Sequence, residues 1–192
     1  MKAVIFDLNG VFIQSPYLSD RFGIKFGVDK QDFLSVLKNM LDHTRHPQAG
    51  DAYDYWQDSL KKWGVSLDRE QFFDFWFSGE VENTSMVNFA KLIKNKGIKI
   101  FVLSNNFQER ADYYKKHFSF IDEIFDGVYY SWQTGFVKPD TRAYQKLLSD
   151  NHLSAEDCVY FDNSSENIEA AKGLGIRSFL YKDINSVKQV FN

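Results

Sequence analysis

Met1-Lys2-Ala3-Val4-Ile5-Phe6-Asp7-Leu8-Asn9-Gly10-Val11 opens the chain, and its reading decides the fold. Ala3 to Phe6 is a short run of β-branched, aromatic and small apolar residues, ended by the polar turn Asp7-Leu8-Asn9-Gly10. A strand apolar on both faces belongs in the middle of a parallel sheet covered on each side. Asp7 then stands at the carboxyl end of that strand, where open α/β sheets bind their ligands. Gly10 permits a sharp turn and a close approach of backbone to ligand. A carboxylate so placed is a candidate nucleophile or metal ligand; equally, an Asp can simply end a strand.

The rest of the chain extends this pattern. From 15 to 85 the residues predict helices and no strand. Tyr17 to Phe26 is amphipathic, and Asp29, Asp51 and Asp68 are each placed as an N-cap. Phe33, Val36, Leu37, Met40 and Leu41 follow the first of these caps at helical spacing. Tyr53, Trp56, Leu60 and Trp63 follow the second, and Phe72, Phe73, Phe75 and Trp76 the third. Such an aromatic stripe predicts a separate helical core rather than a ligand box. From Thr84 strands and helices alternate. Ile98 to Leu103, Val128 to Tyr130, Cys158 to Phe161 and Ser178 to Tyr181 read as strands, with helices over 84–96, 108–117, 141–150 and 166–174 between them. The expected architecture is α/β: a doubly wound parallel sheet with a helical insertion. Residues 1–14 and 85–192 form the Rossmann-like core, and residues 15–84 form a helical cap.

Composition narrows the function. The 192 residues are 44% hydrophobic and 26% charged, a globular balance. A net charge of −3 without a basic run argues against a nucleic-acid partner. Cys158 is the only cysteine and sits in an apolar run, so no disulfide framework is available and a reducing, cytoplasmic setting is expected. Met1-Lys2 leads straight into the first strand, which leaves no space for a signal peptide. No apolar stretch is long enough to span a membrane.

Polar groups collect at the predicted strand ends: Asp7 and Asn9, Ser104 and Asn105, Lys138 before Pro139, and Asp162 and Asn163. In a parallel sheet they share one edge. Two carboxylates, a hydroxyl, amides and a lysine suit a phosphoryl ester: the hydroxyl, amides and lysine hold non-bridging oxygens, and the carboxylates hold Mg²⁺.

These segments resemble the haloacid dehalogenase-like superfamily along the whole chain. Phe6-Asp7-Leu8-Asn9-Gly10-Val11 is similar to its first motif and Leu103-Ser104-Asn105 to its second. Gly135-Phe136-Val137-Lys138-Pro139-Asp140 resembles the third, and Phe161-Asp162-Asn163 with Asn167-Ile168-Glu169-Ala170-Ala171 the fourth. The nearest subgroup is that of small-cap sugar phosphatases similar to glucose-1-phosphatase. The resemblance implies a phosphatase for a small phosphorylated metabolite. Asp7 attacks phosphorus to form an aspartyl-phosphate, Ser104, Asn105 and Lys138 bind the phosphoryl group, and Asp7, Asn9, Asp162 and Asn163 hold Mg²⁺.

Two positions depart from the family pattern. Asn9 stands where the family has an acid that protonates the leaving group and activates water, a role worth roughly 10²–10⁴-fold. Asn163 stands where the family has a second acid on the metal. A phospho-ligand binding protein with little or no turnover is therefore a second reading. A metal-independent dehalogenase-type hydrolase, which does not need an acid at position 9, is a third. Arg45, flanked by His43 and His46 in a cap turn, is a candidate substrate contact. His43 and His46 alone make a poor zinc signature. Asn167 is expected to orient Lys138 or its loop, Glu166 to be a helix-start acid, Cys158 a buried strand residue, and His117 and His152 surface residues.

Overall fold

The computed structural model describes residues 1–191. Strands β1 (Ala3–Phe6), β4 (Lys99–Ser104), β5 (Gly127–Tyr130), β6 (Cys158–Asp162) and β7 (Arg177–Leu180) form one sheet in the order β5-β4-β1-β6-β7. Every pair in it is parallel. The opening strand is thus central, flanked by β4 (Phe6 opposite Val102) and β6 (Phe6 opposite Phe161). Its alternation divides the core. Val4 and Phe6 pack into one apolar cluster with Ile100, Val102, Val159 and Phe161, whereas Ala3 and Ile5 join Phe101, Leu103, Tyr144 and Tyr160 on the opposite face. Both faces are buried, as a central parallel strand requires. Complete burial of a side chain such as Phe6 contributes about 1.5–3 kcal/mol.

Helices α5 (Thr84–Asn95), α6 (Gln108–His117), α9 (Thr141–Asp150) and α10 (Ser165–Gly173) make the crossovers. Each lies close to its predicted span. Short helices α7 (Phe120–Ile124) and α8 (Ser131–Thr134) and the closing helix α11 (Ile184–Phe191) were not legible in the residues.

Between β2 (Ile13–Gln14) and β3 (Val81–Glu82) the chain is helical: α1 (Leu18–Phe26), α2 (Lys30–Thr44), α3 (Gln57–Lys62) and α4 (Arg69–Phe77). The Asp29 carboxylate accepts from the Gln31 and Asp32 amides, and Asp68 forms a reciprocal capping box with Gln71. Asp51 also caps, but what it opens is a 3₁₀ turn over Ala52–Tyr55 ahead of α3, so the single third helix expected there is divided. Arg21 binds the Phe75 and Trp76 carbonyls at the end of α4 at 2.6 and 2.8 Å. Phe22, Phe33, Trp56, Phe72 and Trp76 form a core of their own, and Phe107 of the α/β body packs into it.

The expectation of no strand between 15 and 85 is corrected by β3. It pairs antiparallel with β2 (Ile13 opposite Glu82), so a two-stranded ribbon carries the chain out to the helices and back. Two residues are too few to show a period of two.

Candidate active site

Parity within the sheet aims the site. Asp7 continues the Ala3–Ile5 face of β1, and Asp162 shares a face with Tyr160 of β6, because alternate strand residues point the same way. Lys138 reaches them from that side. Its Nζ lies 2.8 Å from Asp7 Oδ1 and 2.7 Å from Asp162 Oδ2, with all three side chains almost wholly buried. Lys138 was expected directly after a strand. Instead it follows β5 by way of α8 and a loop, and Asn105 holds that loop in place. Asn105 Nδ2 donates to the Lys138 carbonyl and Asn105 Oδ1 accepts from the Lys138 amide, both at 2.8 Å. The Asn105 amide, expected on substrate, is committed to positioning the lysine.

Asp162 is fully engaged. Its Oδ2 accepts from Lys138, from Asn167 Nδ2 at 3.0 Å and from the Tyr160 hydroxyl, and its Oδ1 accepts from the Ser164 amide at 2.8 Å. Asn167 therefore acts on Lys138 through Asp162. Burial pushes the Asp7 carboxyl above the ordinary range; Lys138 opposes that shift and the Asp162 charge adds to it. Burial, then Asp162, keeps the Tyr160 phenol protonated. Ser104 ends β4 beside β1, 2% exposed, and its hydroxyl has no hydrogen-bond partner. Buried hydroxyls are normally paired, so an unpaired one at the ligand edge of the sheet is a vacancy for an acceptor such as a phosphoryl oxygen.

The Asn9 side chain bonds to α6. Its Nδ2 donates to the Tyr114 hydroxyl of α6, leaving Oδ1 buried and unpaired. Tyr114 is wholly buried beside Glu80 and Arg110, and Arg110 Nη2 lies 2.5 Å from Glu80 Oε1. Tyr160, Tyr114, Glu80 and Arg110 were missed in the sequence. Only Tyr160 left a signal, a phenol in a buried strand two residues before the acid.

Asn163 Nδ2 donates to the Asn9 carbonyl at 3.2 Å, and a Cβ on Gly10 would lie 2.1 Å from that same nitrogen. Any side chain there would push the Asn163 amide off the Asn9 carbonyl, and the φ of +86° at this position favours glycine in its own right. Among the described residues no group of three His, Cys, Asp or Glu side chains is arranged to hold a metal. The donors near Asp7 are one carboxylate, the Asn9 carbonyl and, with its amide turned over, Asn163 Oδ1. They fit a Mg²⁺ that takes its remaining oxygens from water and a phosphoryl group. Asp162, expected among the ligands, has both oxygens occupied by protein donors.

Arg45 has a buried, unpaired Nε. Burial, then the like charge of Arg110, lowers it to about 10, while Asp42 and Asp7 act in the other direction. His46 lines a separate cavity of about 640 Å³ with Asp51, Arg69, Glu109 and Trp132. His43 Nδ1 donates to the Asn39 carbonyl of its own helix at 2.7 Å, and the side chain is exposed. Burial raises the Cys158 thiol to about 11. His117 and His152 are exposed, and Glu166 lies exposed in the first turn of α10.

An acid at the tip of a central parallel strand, paired with a buried lysine brought in from a later loop, marks the ligand-binding edge of a doubly wound α/β sheet. A family model for haloacid dehalogenase-like hydrolases matches residues 1–175, and the chain belongs to that family. It is 25% identical over 195 residues to a phosphorylated carbohydrates phosphatase of Thermotoga maritima, covering 92% of this chain and 82% of that one. It is 30% identical over 87 residues to a phosphatase of Mycobacterium tuberculosis, covering 45% of this chain and 40% of that one. The chain spans less than half the length of the first curated relatives it matches. Among solved structures, a HAD family enzyme of Bacteroides thetaiotaomicron superposes with a TM-score of 0.85 at 19% identity, over 100% of this chain and 98% of that one. The same enzyme has been solved with magnesium and inorganic phosphate (TM-score 0.77, 19% identity, 95% and 94% covered).

Proposed function

We propose that this protein is a phosphatase that cleaves a small phosphorylated metabolite through a phosphorylated Asp7. The observation that carries this reading is the buried Asp7–Lys138–Asp162 array beside the unpaired Ser104 hydroxyl. Asp7 attacks phosphorus. Lys138, held by Asp162 and by the Asn105 clamp on its loop, meets one non-bridging oxygen, and Ser104 donates to another. Water then attacks the acyl phosphate and frees Asp7. Mg²⁺, when bound by Asp7, the Asn9 carbonyl and Asn163, supplies charge neutralisation on the phosphoryl group. The helices over 15–84 act as a cap, and Arg45 reaches from it toward the substrate. No helix among the described residues is long and apolar enough to cross a membrane, and a cytoplasmic setting suits the single buried thiol.

The test is phosphate release from a panel of sugar and other small phosphates, with and without Mg²⁺, by the native chain and by Asp7→Asn. Release by the native chain that Asp7→Asn abolishes supports the reading. Release that survives Asp7→Asn, or none from any substrate, overturns it. Asn9 and Asn163 favour a second reading, a phospho-ligand binding protein. It predicts phosphate binding by calorimetry without turnover.

A further inference from the structure

We infer that Phe107 is a positioning residue that fastens the helices over 15–84 to the strand end carrying Ser104 and Asn105, so that these helices are a fixed wall of the site and not a lid that opens. The inference concerns how the site is held together and goes beyond the phosphatase reading.

Residues 104–107 leave β4 in four directions. The Ser104 hydroxyl has no protein partner. Asn105 clamps the Lys138 backbone with two bonds of 2.8 Å. Asn106 exchanges two bonds of 3.0 Å with the Ser131 hydroxyl at the start of α8, its amide donating and its carbonyl accepting. Phe107 is fully buried, yet in neither core of the sheet. Its ring sits in the aromatic core of the inserted helices, with centres 5.3 Å from Trp76 and 6.3 Å from Phe77 of α4. The seat of that ring therefore fixes where Ser104 and Asn105 stand, two or three residues back along the chain.

Helix α6 continues the seam. Tyr113 packs on Phe77 with ring centres 5.0 Å apart, Glu109 Oε1 accepts from the Ala52 amide at 2.9 Å, and Arg110 Nη2 lies 2.5 Å from Glu80 Oε1. Parting α6 from α4 would return the Phe107 ring to water, which alone lowers an open population by about 10–100-fold. Losing the partners of Ala52 and Arg110 lowers it further. The same link carries displacement inward. Moving the inserted helices as a body drags Phe107, then Asn105, and with it the loop that delivers Lys138. A misplacement of about 1 Å at a reacting group can cost about 10²-fold in rate, so an aromatic core outside the sheet contributes to aligning the lysine.

The first test is native-state hydrogen exchange on the unmodified chain. The Ala52 amide bonds across the seam to Glu109, whereas the Phe72 amide bonds within the inserted helices to the Asp68 carbonyl at 2.9 Å. A fixed wall keeps Ala52 exchange within about tenfold of Phe72 exchange, after correction for intrinsic rates. A larger excess at Ala52 means that the seam opens while the helices stay folded, and it overturns the inference. The second test follows release from 4-nitrophenyl phosphate by the native chain, Phe107→Leu and Phe107→Ala, with kcat referred to the folded fraction. Phe107→Ala lowers kcat by about tenfold or more, changes KM by less than about threefold, and speeds Ala52 exchange relative to Phe72. Phe107→Leu, which refills most of the volume, recovers most of both. An unchanged kcat per folded molecule in Phe107→Ala makes the ring mere packing and overturns the positioning role while sparing the phosphatase reading. No release by the native chain overturns the phosphatase reading instead. In that case, or if Phe107→Ala does not fold, the native Ala52 ratio decides the inference.

Discussion

Replacing Lys138 by Met keeps the length of the side chain and removes its charge. The two carboxylates it joins, Asp7 at 2.8 Å and Asp162 at 2.7 Å, then face each other across a site whose lysine is 2% exposed. Removing one partner of a buried ion pair costs about 3–5 kcal/mol, because the other charge is left uncompensated. Against a total stability of about 5–15 kcal/mol that is a large fraction. The loss has a definite pH dependence. With the lysine gone, burial and mutual repulsion raise the folded-state carboxyl affinity for protons above the unfolded value of about 3.9. The folded variant then binds more protons than the unfolded chain, so its stability falls as pH rises through the window above that value. Urea unfolding of native and Lys138→Met protein at pH 5 and pH 8 measures this, and the gap between them widens at the higher pH. Adding Asp162→Asn to Lys138→Met removes the repulsion and recovers stability without recovering phosphate release. A Lys138→Met protein within about 1 kcal/mol of native at pH 8, or a gap that narrows with rising pH, refutes the reasoning.

Other expectations follow from single atoms. Ser104→Ala removes a hydroxyl that has no protein partner, so the melting temperature holds or rises, while kcat/KM falls about 10–100-fold, the worth of one hydrogen bond to a charged oxygen. A fall in melting temperature with unchanged kcat/KM refutes the vacancy. Asn163→Asp adds a charge beside the Asn9 carbonyl and tightens Mg²⁺ binding by about tenfold or more, read by calorimetry on the protein without substrate. Cys158, buried and raised to about 11, stays protonated at neutral pH and fails to react with a thiol reagent until the protein unfolds; rapid native labelling contradicts its placement.

The residues alone determined the parallel sheet and the position of Asp7. Apolar runs with no polar face and helices of crossover length leave few other folds. They also marked the helical insertion, because Asp29 and Asp68 cap by local hydrogen bonds that depend only on neighbours in sequence. What the tertiary structure decided is where each polar side chain spends its hydrogen bonds. Asn105 reads from sequence as a substrate contact and is in fact the clamp on Lys138, some thirty residues away. Asp162 reads as a metal ligand and is saturated by Lys138, Tyr160, Asn167 and Ser164. Tyr114, Glu80 and Arg110 carry no local pattern, since their meaning lies in contacts between α6, the returning ribbon and the first turn. Local chemistry writes the strands, caps and turns; the partners of buried polar groups come from chain segments that meet only when the core closes.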